Sequence, residues 1–223
     1  MVKPVDEFQK EIGYNFKDEG LLSVALTHSS TGSDKNYERL EFLGDRVLGL
    51  VIAQLLFEEF PNENEGDLAK RLAFLVQGTT LAKISDQISL GDYILLSDAE
   101  RDAGGAANNH ILADVFEAVI GAIYIDSDCN IDACHNLIKA QWGGVLGSMI
   151  EPPQHPKTAI QEWAQAQGLP LPIYKIIGQT GLDHAPIFEI KLLVKGHDPI
   201  IASGKSRAEA EKSVAKEFMK GVK

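Results

Sequence analysis

Apolar positions along the 223-residue chain follow two different rhythms. In the longer first part they recur at helical spacing. Leu40, Leu43, Val47, Leu50, Val51 and Leu55 fall at three- and four-residue steps, which predicts an amphipathic helix from Asn36 to Phe60, stopped by Pro61. The same period returns over Asp67–Val76 and Thr80–Ile88, while Gly91 and the AGGAANN stretch at 103–109 read as loops. Ile111 to Ile125 is apolar almost all round and predicts a helix buried on every side. Between Gly147 and Lys157, the prolines Pro152, Pro153 and Pro156 forbid a continuing helix and divide the chain into domains at 1–150 and 151–223. Beyond them the rhythm changes. Pro156 opens a helix over Lys157–Gln167 that Gly168 closes. Ile173–Gln179, Ile187–Val194 and Pro199–Ala202 read as strands, the middle one alternating Phe188, Ile190, Leu192 and Val194. Ser206 caps a last helix that runs through Met219. The expected architecture is an all-α domain followed by a small α+β domain of order α-β-β-β-α, with both helices on one face of an antiparallel sheet.

Composition narrows the class. With 44% hydrophobic and 24% charged residues the chain is an ordinary globular one, not a disordered one. The 111–125 run is too short and, with Asp114 and Glu117, too charged to span a bilayer. The start, MVKPVDEFQK, has no apolar core of a secretory signal. Cys129 and Cys134 match neither a metal spacing nor a disulfide framework. A soluble cytoplasmic protein without a membrane partner is the expectation. The net charge of −11 is unevenly shared. Residues 1–150 carry 11 Lys and Arg against 24 Asp and Glu, whereas 151–223 carry 10 against 8. The first part alone repels a polyanion, so any grip on nucleic acid in the second comes from placement of charge rather than its amount.

The carboxylates hold the chemistry. Glu38, Glu41 and Asp45 fall within roughly 60° of one another on the first long helix. Alone, such a triplet reads most simply as a solvated acidic face. Asp114 and Glu117 change that reading. They are three apart on an otherwise apolar helix, and no Lys or Arg occurs between Arg101 and Lys139. A buried carboxylate must be protonated, paired or metal-bound. A salt bridge to a distant arginine is one answer, and a cation that also gathers the first triplet is the more economical one. Gly44, and Gly121 with Ala122, let the two helices approach closely and set Glu41 and Asp45 opposite Asp114 and Glu117. An all-oxygen donor set favours Mg²⁺, or Mn²⁺, over Zn²⁺. Such ions serve in-line displacement at phosphate. Glu65, in the NENEGD loop, is a further candidate or simply a surface acid.

The string NYERLEFLGDRVL at 36–48 resembles the signature of the ribonuclease III family, and ILADVFEAVIGAIYID at 111–126 resembles its second acidic motif. PNENEGDL at 61–68 matches the acidic loop between them. HPKTAIQEWAQ at 155–165 and GKSRAEAEKSVA at 204–215 resemble a double-stranded RNA-binding domain, so the likeness covers nearly the whole chain. The resemblance implies an all-α ribonuclease III endonuclease domain followed by that RNA-binding domain. It implies a metal-dependent endoribonuclease that cuts both strands of an RNA duplex and leaves 5′-phosphates, 3′-hydroxyls and short 3′ overhangs. Glu41, Asp45, Asp114 and Glu117 occupy the metal-binding positions, with chemistry depending most on Glu117. Glu38 and Glu65 match acids at the RNA-facing edge. The family is homodimeric, and Phe42 on the first long helix is a candidate contact, ordinary core packing being the equal alternative. Expected substrates are rRNA precursors and some mRNA and tRNA precursors, not DNA.

The tail has a physical case of its own. A-form RNA offers 2′-hydroxyls in a shallow minor groove, where short polar side chains such as Thr158, Gln161 and Glu162 can hydrogen-bond. His184, in the GLDHAP loop, matches the element that enters a second minor groove, or is a plain turn residue. Lys205, Ser206 and Arg207 begin the last helix, whose dipole suits phosphate. Ala208 stands where related domains carry a second basic residue. The rival reading, a catalytically silent RNA-binding or ribosome-associated relative, predicts loss of a metal carboxylate, and all four are present.

Overall fold

The computed structural model describes residues 2–154, 156–182 and 185–222. It divides into two compact units, Met1–Pro153 and Gln154–Lys223. The first is helical: α1 (Val5–Ile12), α2 (Glu19–Ala25), α3 (Glu38–Glu59), α4 (Glu65–Leu75), α5 (Gly78–Gln87), α6 (Asp98–Asp102), α7 (Asn109–Asp126) and α8 (Ile131–Gly147). Helix α7 is its axis. Every residue from Ile111 to Ile123 is buried except Asp114 and Glu117, as an apolar helix surrounded by α2, α3, α5 and α8 must be.

Caps set the helix starts. The Asn64 side chain accepts from the Asp67 N–H at 3.1 Å, so α4 begins at Glu65, earlier than its apolar period suggests. Asn108 does the same for His110 and draws the start of α7 back into the glycine-rich stretch read as loop, part of which (Gly105–Ala107) is a 3₁₀ turn. Helices α1, α2, α6 and α8 had no counterpart in the apolar pattern. In α8 the buried stripe Cys134, Leu137, Ile138 and Trp142 is genuine, but Gly143, Gly144 and Gly147 mask its helical character. Leu50, part of the apolar period of the first long helix, is 62% exposed. Its neighbours Val51 and Ile52 point inward instead.

Two polar knots hold this unit. Arg71 is fully buried, with its guanidinium 3.7 Å from the Phe60 ring centroid. It donates to Glu63 at 2.8 and 2.6 Å and to the Met149 carbonyl at 3.0 Å. Asp126, at the end of α7, accepts from the Tyr14 hydroxyl (2.7 Å) and from the backbone N–H groups of Lys17 (2.9 Å) and Asp18 (2.8 Å). It fastens the segment between α1 and α2 to the central helix.

The second unit comprises α9 (Pro156–Ala166), β1 (Ile173–Leu182), β2 (Ala185–Leu193), β3 (Ile200–Gly204) and α10 (Arg207–Gly221). The sheet is antiparallel in the order β1-β2-β3, with a register shift between Ile176 and Gly178. Ile190, Leu192 and Val194 pack with Ile160, Ala210, Val214, Ala215 and Phe218, so both helices cover one face. The β1–β2 ladder runs past the expected strand ends to pair Leu182 with Ala185. Backbone pairing there needs no apolar alternation, which is why the Gly181–Pro186 stretch looked like a loop. Among the described residues, no helix is long and apolar enough to cross a membrane.

Burial raises the Asp126 carboxyl, but the two backbone donors and the tyrosine outweigh it and hold it below the ordinary carboxylate range. A depressed folded value means stability that is present at neutral pH and lost as the pH falls through that value. Asp126→Ala is expected to lose about 2–4 kcal/mol at neutral pH, with the gap to wild type closing in acid, below about pH 4. Thermal unfolding of both proteins across that range checks this, and an undiminished gap in acid contradicts it.

Candidate functional site

The site is made where α3 crosses α7. A Cβ on Gly44 would lie 1.7 Å from the Glu117 carbonyl oxygen, and one on Gly121 would lie 2.2 Å from the Leu40 carbonyl oxygen. The two backbones touch, and only glycine fits on either side. Glu41 lies almost one turn before Gly44, and Glu117 lies just over one turn before Gly121. Close approach of the backbones therefore forces their carboxylates together. Glu41, Asp114 and Glu117 each offer an oxygen within 4.8 Å of the others.

Burial perturbs all three groups, and neighbouring acids add to it at Glu117 and Glu41. Burial pushes the Glu117 carboxyl up to about 8, helped by Asp45, Asp114 and Glu41, with Arg46 a small opposing influence. Glu41 is raised by burial and then by Asp114, Glu38 and Asp45. Asp114 is raised by burial and eased downward by His110 and His28. None of the three carboxylates has a salt-bridge partner among the described residues. Three clustered carboxylates without an ion-pair partner among the described residues, all hard oxygen donors, fit a divalent cation.

Asp45 is one turn along α3 and is the strongest of the charges acting on Glu117, yet its own oxygen is paired with Arg46 at 2.8 Å. It stands beside the three rather than among them. Glu38 is the first residue of α3, its N–H held by Asn36 at 3.1 Å, and its charge reaches Glu41. Glu65 opens α4 and is not brought into the cluster. Two histidines and a tyrosine escaped the sequence reading. His28 stacks on Tyr37 with ring centroids 5.4 Å apart, and Tyr37 feels Asp114, Glu41 and Glu38. For Tyr37 a signal existed, since it immediately precedes the acidic string; for His28 none did.

In the second unit Thr158, Gln161 and Glu162 share the exposed face of α9, at one-turn spacing. Ser206 caps α10, its hydroxyl accepting from the Glu209 N–H at 3.1 Å, while the Glu209 carboxylate accepts from the Lys205 N–H at 2.8 Å. Lys205, Ser206 and Arg207 are all exposed around that helix start. Arg207 is partly engaged, donating to the buried Glu211 at 2.9 Å, and Lys157 reaches the same carboxylate. His184 lies outside the described residues.

An acid-lined helical unit joined to an α-β-β-β-α unit defines a class. Residues 18–141 match the Ribonuclease-III-like family model, and 156–221 match the double-stranded RNA binding motif. "Ribonuclease 3" of Ehrlichia ruminantium (strain Welgevonden) is 45% identical over 210 residues, 92% of each chain. "Ribonuclease 3" of Caulobacter vibrioides (strain NA1000 / CB15N) is 43% identical over 223 residues, 98% of this chain and 96% of that one. The nuclease domain of ribonuclease III from Campylobacter jejuni superposes with a TM-score of 0.59 at 42% identity, over 63% of this chain and 99% of that domain. The chain belongs to the ribonuclease III family: it is an endoribonuclease that acts on double-stranded RNA.

A carboxyl raised on folding makes the folded protein the one that holds the extra proton. The metal-free protein therefore loses stability as the pH rises from 4.5, the ordinary glutamate value, through about 8. In EDTA, the thermal midpoint is expected to decline across that window. Adding a divalent cation, or replacing Glu117 by Gln, is expected to flatten the decline. A flat wild-type profile in EDTA contradicts the arrangement.

Proposed function

We propose that Glu41, Asp45, Asp114 and Glu117 carry the cleavage of both strands of an RNA duplex around Mg²⁺, with Mn²⁺ able to replace it. The observation that supports this is the gathering of Glu41, Asp114 and Glu117 within 4.8 Å with no salt-bridge partner among the described residues. Breaking the P–O3′ bond by water leaves a 3′-hydroxyl on one fragment and a 5′-phosphate on the other. When bound, the ion supplies Lewis-acid polarisation of the phosphate and lowers the pKa of water. The protein's own part is to hold its ligands rigidly. The Gly44–Gly121 contact fixes Glu41 and Glu117, and Asp45 is paired with Arg46. Glu38 and Glu65 belong to the RNA-facing edge. Thr158, Gln161, Glu162, His184, Lys205, Ser206 and Arg207 grip the duplex through its 2′-hydroxyls and phosphates.

The acting species in this reading is a homodimer. Phe42, Leu50 and Phe57 are 71%, 62% and 73% exposed, and together with Arg46 they form one stripe along α3. Large apolar side chains aligned in this way mark an interface. The Campylobacter jejuni nuclease domain has a region involved in dimer formation, which favours the same use here. Two sites then face one duplex, and two cuts offset across the groove leave short 3′ overhangs. The natural substrates are rRNA precursors with some mRNA and tRNA precursors, met in the cytoplasm.

Two experiments test this. Purified protein is incubated with a long perfect RNA duplex, its separated strands and the matching DNA duplex, in Mg²⁺ or EDTA. Cutting is expected for the RNA duplex in Mg²⁺ alone. Glu117→Gln is expected to bind that duplex normally and cut it at least about 1000-fold more slowly; cutting at the wild-type rate removes Glu117 from the chemistry. For the dimer, light scattering of the double variant Phe42→Glu with Phe57→Glu is expected to give a folded monomer. A dimer that survives both charges places the interface elsewhere.

A further inference from the structure

His28 is a built feature of the first unit that the acid-cluster chemistry does not use. Its loop is pinned on both sides. The His28 N–H donates to the Leu95 carbonyl at 2.9 Å, and the Leu95 N–H donates to the Leu26 carbonyl at 2.8 Å. Thr27 and Leu95 form a parallel bridge, the Tyr37 N–H donates to the Thr27 carbonyl at 3.0 Å, and the Ser97 N–H donates to the Ser30 hydroxyl at 3.1 Å. The imidazole is clamped as well. Its plane lies 11° from that of Tyr37, with the centroids 5.4 Å apart. Its Nδ1 accepts from the Ser30 N–H at 3.1 Å.

That last bond decides the tautomer. A ring nitrogen that accepts a hydrogen bond carries no proton, so the proton of a neutral imidazole sits on Nε2. Nε2–H is then a donor with no partner among the described residues, and it is not a buried orphan. The ring is only half-buried, and it rests on Tyr37, the residue that caps α3 and whose carbonyl accepts from the Glu41 N–H at 2.9 Å, about one turn before that acid. Tyr37, the ring it rests on, is buried within reach of Asp114, Glu41 and Glu38. His110 also neighbours Asp114, but it is exposed and nothing among the described residues fixes its side chain.

The charge problem at this site explains why such a donor is useful. An RNA phosphate must come up against several carboxylates that repel it. A lysine or arginine placed to attract it would pair with those carboxylates first. A neutral, immobilised N–H donor binds a phosphate oxygen without neutralising the ligands, and its orientation is set before the substrate arrives. We propose that His28 contacts the substrate, donating from Nε2–H to a non-bridging phosphate oxygen of the RNA strand held beside Asp114. This rests on the assignment of the acid cluster as the cleavage site.

Two substitutions separate the ends of the ring. Asparagine places an acceptor near Nδ1 and is itself a good capping residue, so His28→Asn keeps the bond to Ser30 and loses the donor. Glutamine reaches toward Nε2 with an amide N–H, so His28→Gln keeps a donor and loses the cap. Full-length variants are compared by thermal midpoint, by duplex affinity in EDTA and by single-turnover cleavage of an RNA duplex in saturating Mg²⁺. The expected pattern is crossed. His28→Asn keeps the wild-type midpoint and affinity but cuts about 10- to 100-fold more slowly, while His28→Gln is less stable yet recovers the rate to within about 5-fold of wild type. Wild-type cleavage by His28→Asn, or equal slowing of both variants, overturns the proposal. Glu117→Gln run alongside separates the two readings, because an active Glu117→Gln refutes the site itself, whereas an inactive one beside a fully active His28→Asn refutes only the role of His28.

Discussion

The contact of α3 with α7 at Gly44 and Gly121 is the constraint on which the nuclease unit depends. Two backbones meet with no side chain between them, and each glycine's missing Cβ is the space the other helix's carbonyl occupies. That closeness is compact packing and electrostatic stress at once. It places Glu41, Asp114 and Glu117 where their charges oppose one another, and it keeps Glu117 half-buried so that water relieves the opposition only in part. A fold that concentrates like charge so tightly holds free energy that only a proton or a cation releases. Polar knots elsewhere make that tolerable. Asp126 ties the end of α7 to the segment after α1, and Arg71 ties α4 to Glu63 and Met149.

The second unit handles charge in the opposite way. Two of its acids are engaged internally. Glu211 is buried and takes both Lys157 and Arg207, which holds its carboxyl below the usual range and joins the start of α9 to the start of α10. Glu209 is spent on the cap of α10. With these acids satisfied inside the unit, its exposed cations and amides are available to a polyanion although its net charge is only slightly positive. Placement, not amount, makes the unit suited to RNA.

Much of this was legible beforehand because the physics is local. Ile111–Ile125 had to be a buried helix, since an all-apolar face cannot be left in water, and Asp114 with Glu117 stood out on it as the charges that need an explanation. The paired glycines announced close approach for the same reason. Where local signals mislead, a longer-range force has taken over. Leu50 fits the helical period yet faces solvent with Phe42 and Phe57, because α3 has an apolar stripe of its own outside the core. The β1–β2 ladder continues through Gly181 and Pro186 because the partner strand, not the side-chain pattern, supplies the bonds.

The sequence by itself determined the class of the protein and the two-part architecture and singled out acids on two helices, since helical period, capping residues and motif strings are properties of short segments. Only the tertiary structure decided which acids meet. Asp45 and Glu41 lie on the same face of one helix, but the crossing at Gly44 sends Glu41 to Asp114 and Glu117 and leaves Asp45 paired with Arg46. Nor did any local pattern connect His28 with Asp114. The ring is held by the His28 N–H donating to the carbonyl of Leu95, distant in the chain, by stacking on Tyr37 and by the local bond from the Ser30 N–H.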